Sequence, residues 1–407
     1  MSLPNLRFPE FNNSLEWGKK TFGSVATFYN GRAYKQEELL DKGKYKVLRV
    51  GNFFTNENWY YSDLELDENK YCENGDLLYA WSASFAPKIW IGEKVIYHYH
   101  IWKVVEKKDI HKKFLFILLD YETEKMKSQS ANGLGLLHIT KGTIEGWKCN
   151  LPEFDEQQKI ADCLSSIDEL ITAQTQKLDT LKTHKKGLMQ QLFPAEGETV
   201  PKLRFPEFRD AREWEEKRLV QLTTKISDGI HTTPVYDENG EYFFINGNNL
   251  ANGKILVDEK TKRVNKDEFN KHKKPLDLNS ILISINGTIG NLAFFNHEQV
   301  ILGKSACFIN VDQKLASKVF IYYMLQTEKI KSSLIAELTG STIKNLSLGT
   351  IKNLELTIPT LSEQGKIADC LASVDALIAA QAQKIEALKQ HKKGLMQQLF
   401  PAAEEVR

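Results

Sequence analysis

The chain has 407 residues, 42% of them hydrophobic and 26% charged, with a formal net charge of +1. That length accommodates two or three domains with cores of their own, and the composition is that of a globular chain, neither disordered nor strongly basic. No apolar run approaches the about 18 residues of a membrane span, Met1-Ser2-Leu3-Pro4-Asn5 has no signal-peptide pattern, and Cys72, Cys149, Cys163, Cys307 and Cys370 include no Cys-x-x-Cys pair, so a cytoplasmic protein without disulfides or zinc is expected.

The chain opens on Leu6-Arg7-Phe8-Pro9-Glu10-Phe11, followed by Trp17. Lys46–Val50, Leu77–Trp81, Lys88–Ile91 and Ile101–Val105 are short apolar or aromatic runs between turn residues, and they predict strands. Lys112–Thr123 predicts a helix. Then the period changes. Ile160, Leu164, Ile167, Ile171, Gln174, Leu178, Leu181 and Leu188 recur at alternating steps of four and three, with Lys185 also on this line. That is a coiled-coil seam. Asp155 is a suitable N-cap with Gln158 placed as in a capping box, and Pro194 ends the helix.

The pattern then starts again. Leu203-Arg204-Phe205-Pro206-Glu207-Phe208 and Trp214 repeat the opening. Tyr242–Ile245, Ser280–Ile285, Leu292–Phe295 and Cys307–Val311 predict strands, and Ala316–Gln326 a helix. A second seam runs through Ile367, Leu371, Val374, Ile378, Gln381, Ile385, Leu388 and Leu395, with Lys392 among them, after a candidate cap at Ser362 and before Pro401. Residues 157–195 and 364–402 align without a gap at an offset of 207, identical at 29 of 39 positions. Gly142-Thr143-Ile144 and Gly349-Thr350-Ile351 match at the same offset. Between these near-copies the chain diverges strongly. The expected architecture is mixed α/β. Two α/β modules with curved, mostly antiparallel sheets occupy residues 1–153 and 196–360, and two long helices occupy 154–195 and 361–407. The helices pair as an antiparallel coiled coil in a pseudo-twofold internal repeat. Each helix could instead pack on its own module; the length of the matched seams favours helix on helix. Gln174 and Gln381 either meet in the seam or lie solvated at its edge. Roughly 36 helical residues span about 54 Å, or about 16 base pairs of B-DNA.

No Walker A loop, nucleophile elbow, zinc spacing or dinucleotide fingerprint is present, and Gly133-Leu134-Gly135 is too short to count as one. Cys163/Cys370 and His184/His391 are spaced too far apart for a metal site. The charge-rich stretch 254–274 balances its own charges and reads as solvated surface. The residues that suit base edges and phosphates are Arg49, Asn52, Trp81, Ser82, Ser84, Lys88, His98, His100 and Lys141 in the first module. In the second they are His231, Thr232, Thr233, Asn246, Asn248, Asn249, Asn286, Thr288, Lys304, Ser341, Thr342 and Lys344. The slight positive balance lies in these divergent segments, and a partner is expected to supply further phosphate contacts.

Three sets of residues carry a resemblance. One is Pro359-x-x-Ser362-Glu363-Gln364-x-Lys366-Ile367-Ala368 with its counterpart from Pro152 to Ala161. The second is Lys-Lys-Gly-Leu-Met-Gln-Gln-Leu-Phe-Pro at 185–194 and 392–401. The third is the pair of sheet motifs Gly75-Asp76-Leu77-Leu78 with Trp81-Ser82-Ala83-Ser84, and Asn286-Gly287-Thr288-Ile289-Gly290. Over essentially its whole length the chain resembles the specificity subunit of bacterial type I restriction-modification enzymes. Ala86 departs from a glycine common in the first motif. The resemblance implies a non-catalytic DNA-binding subunit of the bacterial cytoplasm, acting in phage defence and DNA methylation. Its two target-recognition domains each read half of an asymmetric bipartite site, and its helices set the spacer. It implies two methyltransferase subunits and restriction/translocase subunits as partners. S-adenosylmethionine and ATP/Mg would sit on those partners, with no cofactor in this chain. A coiled-coil scaffold that binds only protein is the alternative, and an enzyme of a new type finds no motif in support.

Overall fold

Two 39-residue helices, Phe154–Leu192 and Leu361–Leu399, carry the repeated segments in the computed structural model. It describes residues 3–82, 84–130, 139–338 and 345–401. The chain divides into two units, Met1–Thr175 with Lys384–Arg407, and Gln176–Gln383. Each unit therefore holds one α/β module, the N-terminal part of the helix that follows it and the C-terminal part of the other helix.

In the first unit, strands Ala26–Asn30, Ile101–Glu106, Leu77–Ser82 and Ser84–Ile89 form an antiparallel sheet in that order. In the second, Thr223–Asp228, Ala306–Val311, Ser280–Ser284 and Leu292–Phe294 repeat the order. A second sheet in each unit contains one parallel pair, Val47 with Ile96 and Phe243 with Val300. The central strand Leu77–Ser82 is buried on both sides. Leu77 and Tyr79 join Phe28, Trp102 and Phe114, while Leu78 and Ala80 join Leu48, Trp90 and Tyr97. Successive strand residues face opposite sides, so a strand covered on both faces reads as the unbroken apolar run Leu-Leu-Tyr-Ala-Trp. No described helix is long and apolar enough to cross a membrane.

The repeated motifs meet at one junction in each unit. Arg7 grips Glu156 through Nε and Nη2 at 2.8 and 2.6 Å and donates to the carbonyls of Ser14 and Leu15. Arg204 does the same to Glu363 at 2.8 Å through both nitrogens and to the carbonyls of Ala211 and Arg212. Both carboxylates are buried. The backbone N–H of Leu6 donates to Gln398 O, and that of Leu203 to Gln191 O. The aromatic residue before each terminal proline then enters a module core. Phe400 stacks on Tyr121 and Phe114, and Phe193 packs on Phe320 and Trp214. The Arg-Phe-Pro, Glu-Gln and Leu-Phe-Pro repeats are thus three sides of one joint.

The helix starts differ from the expected caps. Asp155 and Ser362 lie inside the first turn, exposed, because the helices begin one residue earlier at Phe154 and Leu361. The first helical bonds run from Gln157 N to Glu153 O and from Gln364 N to Thr360 O. The Gln157 side chain, itself buried, donates to Pro152 O and accepts from His111 N. Gln364 likewise bridges Pro359 O and Ser317 N. The glutamine side chains thus tie each helix start to the preceding proline carbonyl and to the module.

All the seam positions are buried or half-buried, whereas Leu170 and Leu377, off the seam, are exposed. Ile160 and Leu164 join the first module's core, and Ile367 and Leu371 the second's. Seam ends therefore pack on the modules, and helix-on-helix and helix-on-module readings both hold in part. Gln381 is buried, which rules out a solvated edge for it, and Gln174 is half-buried. Each seam lysine pairs with an aspartate of the other helix. Lys392 holds Asp168 at 2.6 and 2.7 Å in the first unit. Lys185 holds Asp375 in the second, with Tyr323 Oη donating to the same carboxylate at 2.8 Å. Within each unit the helix parts run antiparallel.

Candidate nucleic-acid interface

One backbone arrangement occurs in both modules and brings distant loops to the end of the central strand. In the first, Gly31-Arg32 crosses the turn at 98–100, with Arg32 bridged to His98. A Cβ on Gly31 would collide with the carbonyls of Tyr97 and His98, so only glycine fits. Trp81 N donates to His100 O, and Ile139 N to Trp81 O. In the second module Gly229-Ile230 crosses the turn at 303–305 in the same way, with Ile230 bridged to Gly303. Ile285 N donates to Ser305 O, and Leu346 N to Ile285 O. Thr140 and Ser347 then cap the short helices Lys141–Gly146 and Leu348–Lys352, which accounts for the repeated Gly-Thr-Ile.

The side chains on these matching frames are unlike. The first module gathers Trp81, His98, Tyr99 and His100. Ring centroids lie 4.8 Å apart for His98–His100, 4.0 Å for Tyr99–His100 and 5.1 Å for Trp81–His100. Trp81 stacks on Trp102 and Trp102 on Tyr79, and Trp81 Nε1 donates to Tyr99 O at 2.8 Å. Burial, followed by the charges of His100 and Arg49, lowers the His98 pKa to about 4, so this imidazole is neutral at neutral pH. Tyr34 stacks on His98, and its buried hydroxyl has no partner among the described residues. Arg49 is exposed and lies over the Tyr60 ring.

Other candidates from the first module are tied up locally. Asn52 Nδ2, in the short helix Val50–Phe54, donates to Asn56 O and Asn58 O beyond it, and Lys88 Nζ donates to Phe53 O near the helix end. Lys141 lies 3.5 Å from Glu145, and Ser82 is buried. The Ser84 side chain lies outside the described residues.

In the second module, His231, Asn286 and Lys304 line a cleft of about 260 Å³ together with Asp228, Ile285 and Ser347. His231 Nε2 and Asp228 Oδ2 are 2.7 Å apart. A second cleft, of about 600 Å³, is lined by Asn246, Asn248 and Asn249 with Tyr236, Lys260 and Lys262. Asn249 is committed to the loop, accepting from Asn246 N and donating to Leu256 O, and Asn246 accepts from Ser305 Oγ. Asn248, Thr232, Thr233 and Thr288 are exposed. Ser341, Thr342 and Lys344 lie outside the described residues. Sequence reasoning missed Tyr34, Tyr99 and Asp228. The available signal was the alignment of Asn30-Gly31 with Asp228-Gly229, which marks the crossing segment in each module.

A single frame built twice, each copy presenting a different surface at the same place, defines a two-module recognition protein. The chain belongs to the type I restriction modification DNA specificity domain family, whose model matches residues 14–183 and 211–390. It is 28% identical over 337 residues to the MjaVIII type I restriction enzyme specificity subunit of Methanocaldococcus jannaschii, covering 80% of this chain and 78% of that one. Against the EcoBI specificity subunit of Escherichia coli it is 21% identical, covering 86% and 77%. Its fold is that of the type I restriction-modification S subunit from M. genitalium. That structure superposes with a TM-score of 0.59 at 15% identity, over 99% of this chain and 100% of the other.

Proposed function

We propose that this specificity subunit reads a bipartite, asymmetric DNA site with one half-site per module. The observation that carries the reading is the repeated frame: aromatic and imidazole groups occupy it in the first module, an acid, an amide and a lysine in the second. Identical surfaces would read identical half-sites. The recognition domains are residues 1–153 and 196–360, and the helices Phe154–Leu192 and Leu361–Leu399 set the spacer and dock two methyltransferase subunits. Those partners carry S-adenosylmethionine, and restriction/translocase subunits carry ATP and Mg. The complex acts in the bacterial cytoplasm.

Exchange of residues 199–357 for the matching segment of a relative tests this. Methylome sequencing of the exchanged complex is expected to show one half of the motif changed and the other intact. Changes in both halves, or in neither, contradict modular readout. The chain alone is expected to transfer no methyl group. Incubated with DNA and labelled S-adenosylmethionine without partners, it should give only background incorporation, and label on DNA would make it an enzyme.

A further inference from the structure

We infer that Asp228 is a specificity-determining residue of the second module, accepting a hydrogen bond from the exocyclic amino group of a cytosine or adenine in its half-site. This rests on the reading of the cleft as a DNA interface. A carboxylate is the wrong group for holding phosphates, since like charges repel. It is the right group for one kind of base edge. Ionised, it only accepts, and in the major groove only cytosine N4 and adenine N6 offer donors, while guanine O6 and thymine O4 are acceptors and are rejected.

The geometry suits that role. Asp228 ends its strand at the crossing segment, with its side chain 18% exposed into the cleft. One oxygen, Oδ2, is held by His231 Nε2 at 2.7 Å, which fixes the carboxylate plane. The other oxygen has no protein donor among the described residues. Lys304, exposed on the same cleft, forms no ion pair with it and offsets its charge toward DNA. Asn286 adds an amide that both donates and accepts. A donor and an acceptor-only group side by side match the mixed edge of a base pair. The first module has neutral Asn30 at the matching place, preceding Gly31 as Asp228 precedes Gly229.

The test uses the complex with its methyltransferase subunits, expressed in a host and mapped by methylome sequencing, alongside D228A, D228N, N286A and K304A. Wild type should require C or A at one position of the half-site assigned to residues 199–357. D228A should relax that position alone, with discrimination there falling on the order of ten- to a hundredfold, and leave the first half-site intact. D228N, which adds a donor, should admit other bases there. Both should bind nonspecific duplex at least as tightly as wild type, because a repelling charge is gone. An unchanged motif in D228A and D228N, with relaxation in N286A or K304A, overturns the assignment of Asp228 and leaves the interface standing. No change in any of the four overturns the interface itself. Loss of all methylation, or weaker nonspecific binding, in both Asp228 variants would make the residue structural and would equally defeat the inference.

Discussion

Arg204→Ala is expected to destabilise the second unit by about 3–5 kcal/mol, the cost of leaving one member of a buried ion pair alone. Glu363 is 1% exposed and takes two hydrogen bonds from the guanidinium. The same side chain also satisfies the carbonyls of Ala211 and Arg212, so four bonds are lost together. Trp214 offers no rescue from its present position: its buried Nε1 has no partner among the described residues, whereas Trp17 Nε1 donates to Glu156 at 3.3 Å. Because breaking the pair is costly while replacing both members is often neutral, the double variant R204M/E363L should recover much of the loss. Thermal and urea unfolding of the single and double variants measure this, with a drop of roughly 10 °C expected for the single change. A loss under about 1 kcal/mol for R204A would show that the joint does not hold the unit together.

That joint also shows how far the sequence could be read. Long helices, the seam and the two-module plan are written in periodicity and repetition, which survive without tertiary context. The joint is written too, since Arg7, Glu156 and Phe400 all sit in repeated motifs, but their meeting is long-range and no spacing rule connects residue 7 with residue 156 or residue 6 with residue 398. The expected caps at Asp155 and Ser362 follow a local rule that takes no account of tertiary contacts: Gln157 and Gln364, in the first turns, accept from His111 N and Ser317 N of the modules. The candidate interface was the least legible part. Residue type alone selected Asn52, Lys88 and Asn249, whose side chains bond nearby backbone carbonyls. It passed over Asp228 and Tyr99, whose relevance comes from where the crossing strand places them. Surfaces that must differ between two copies carry no repeat to find them by; only the glycines beneath them, Gly31 and Gly229, are shared.

Seven residues inserted after Gln176, with seven after Gln383, are expected to lengthen the spacer of the methylated motif by roughly two to three base pairs and to leave both half-sites unchanged. A heptad keeps the Ile/Leu seam in register and adds about 10 Å of helix at 1.5 Å per residue, close to three steps of B-DNA at 3.4 Å. Four residues would instead shift the seam and create a stutter. The insertion points spare the anchors. The first falls between Asp168 and Lys185 and the second between Asp375 and Lys392, so each ion pair stays within its own unit. The joints at Arg7 and Arg204 and the cores that receive Phe400 and Phe193 are likewise untouched. Only the distance along the helices changes, which separates a ruler from a mere clamp. Single-molecule methylome sequencing of the altered complex reads the result. An active complex with the original spacer would mean that the helices do not set the distance between half-sites, and a changed half-site would mean that the insertion had disturbed a module.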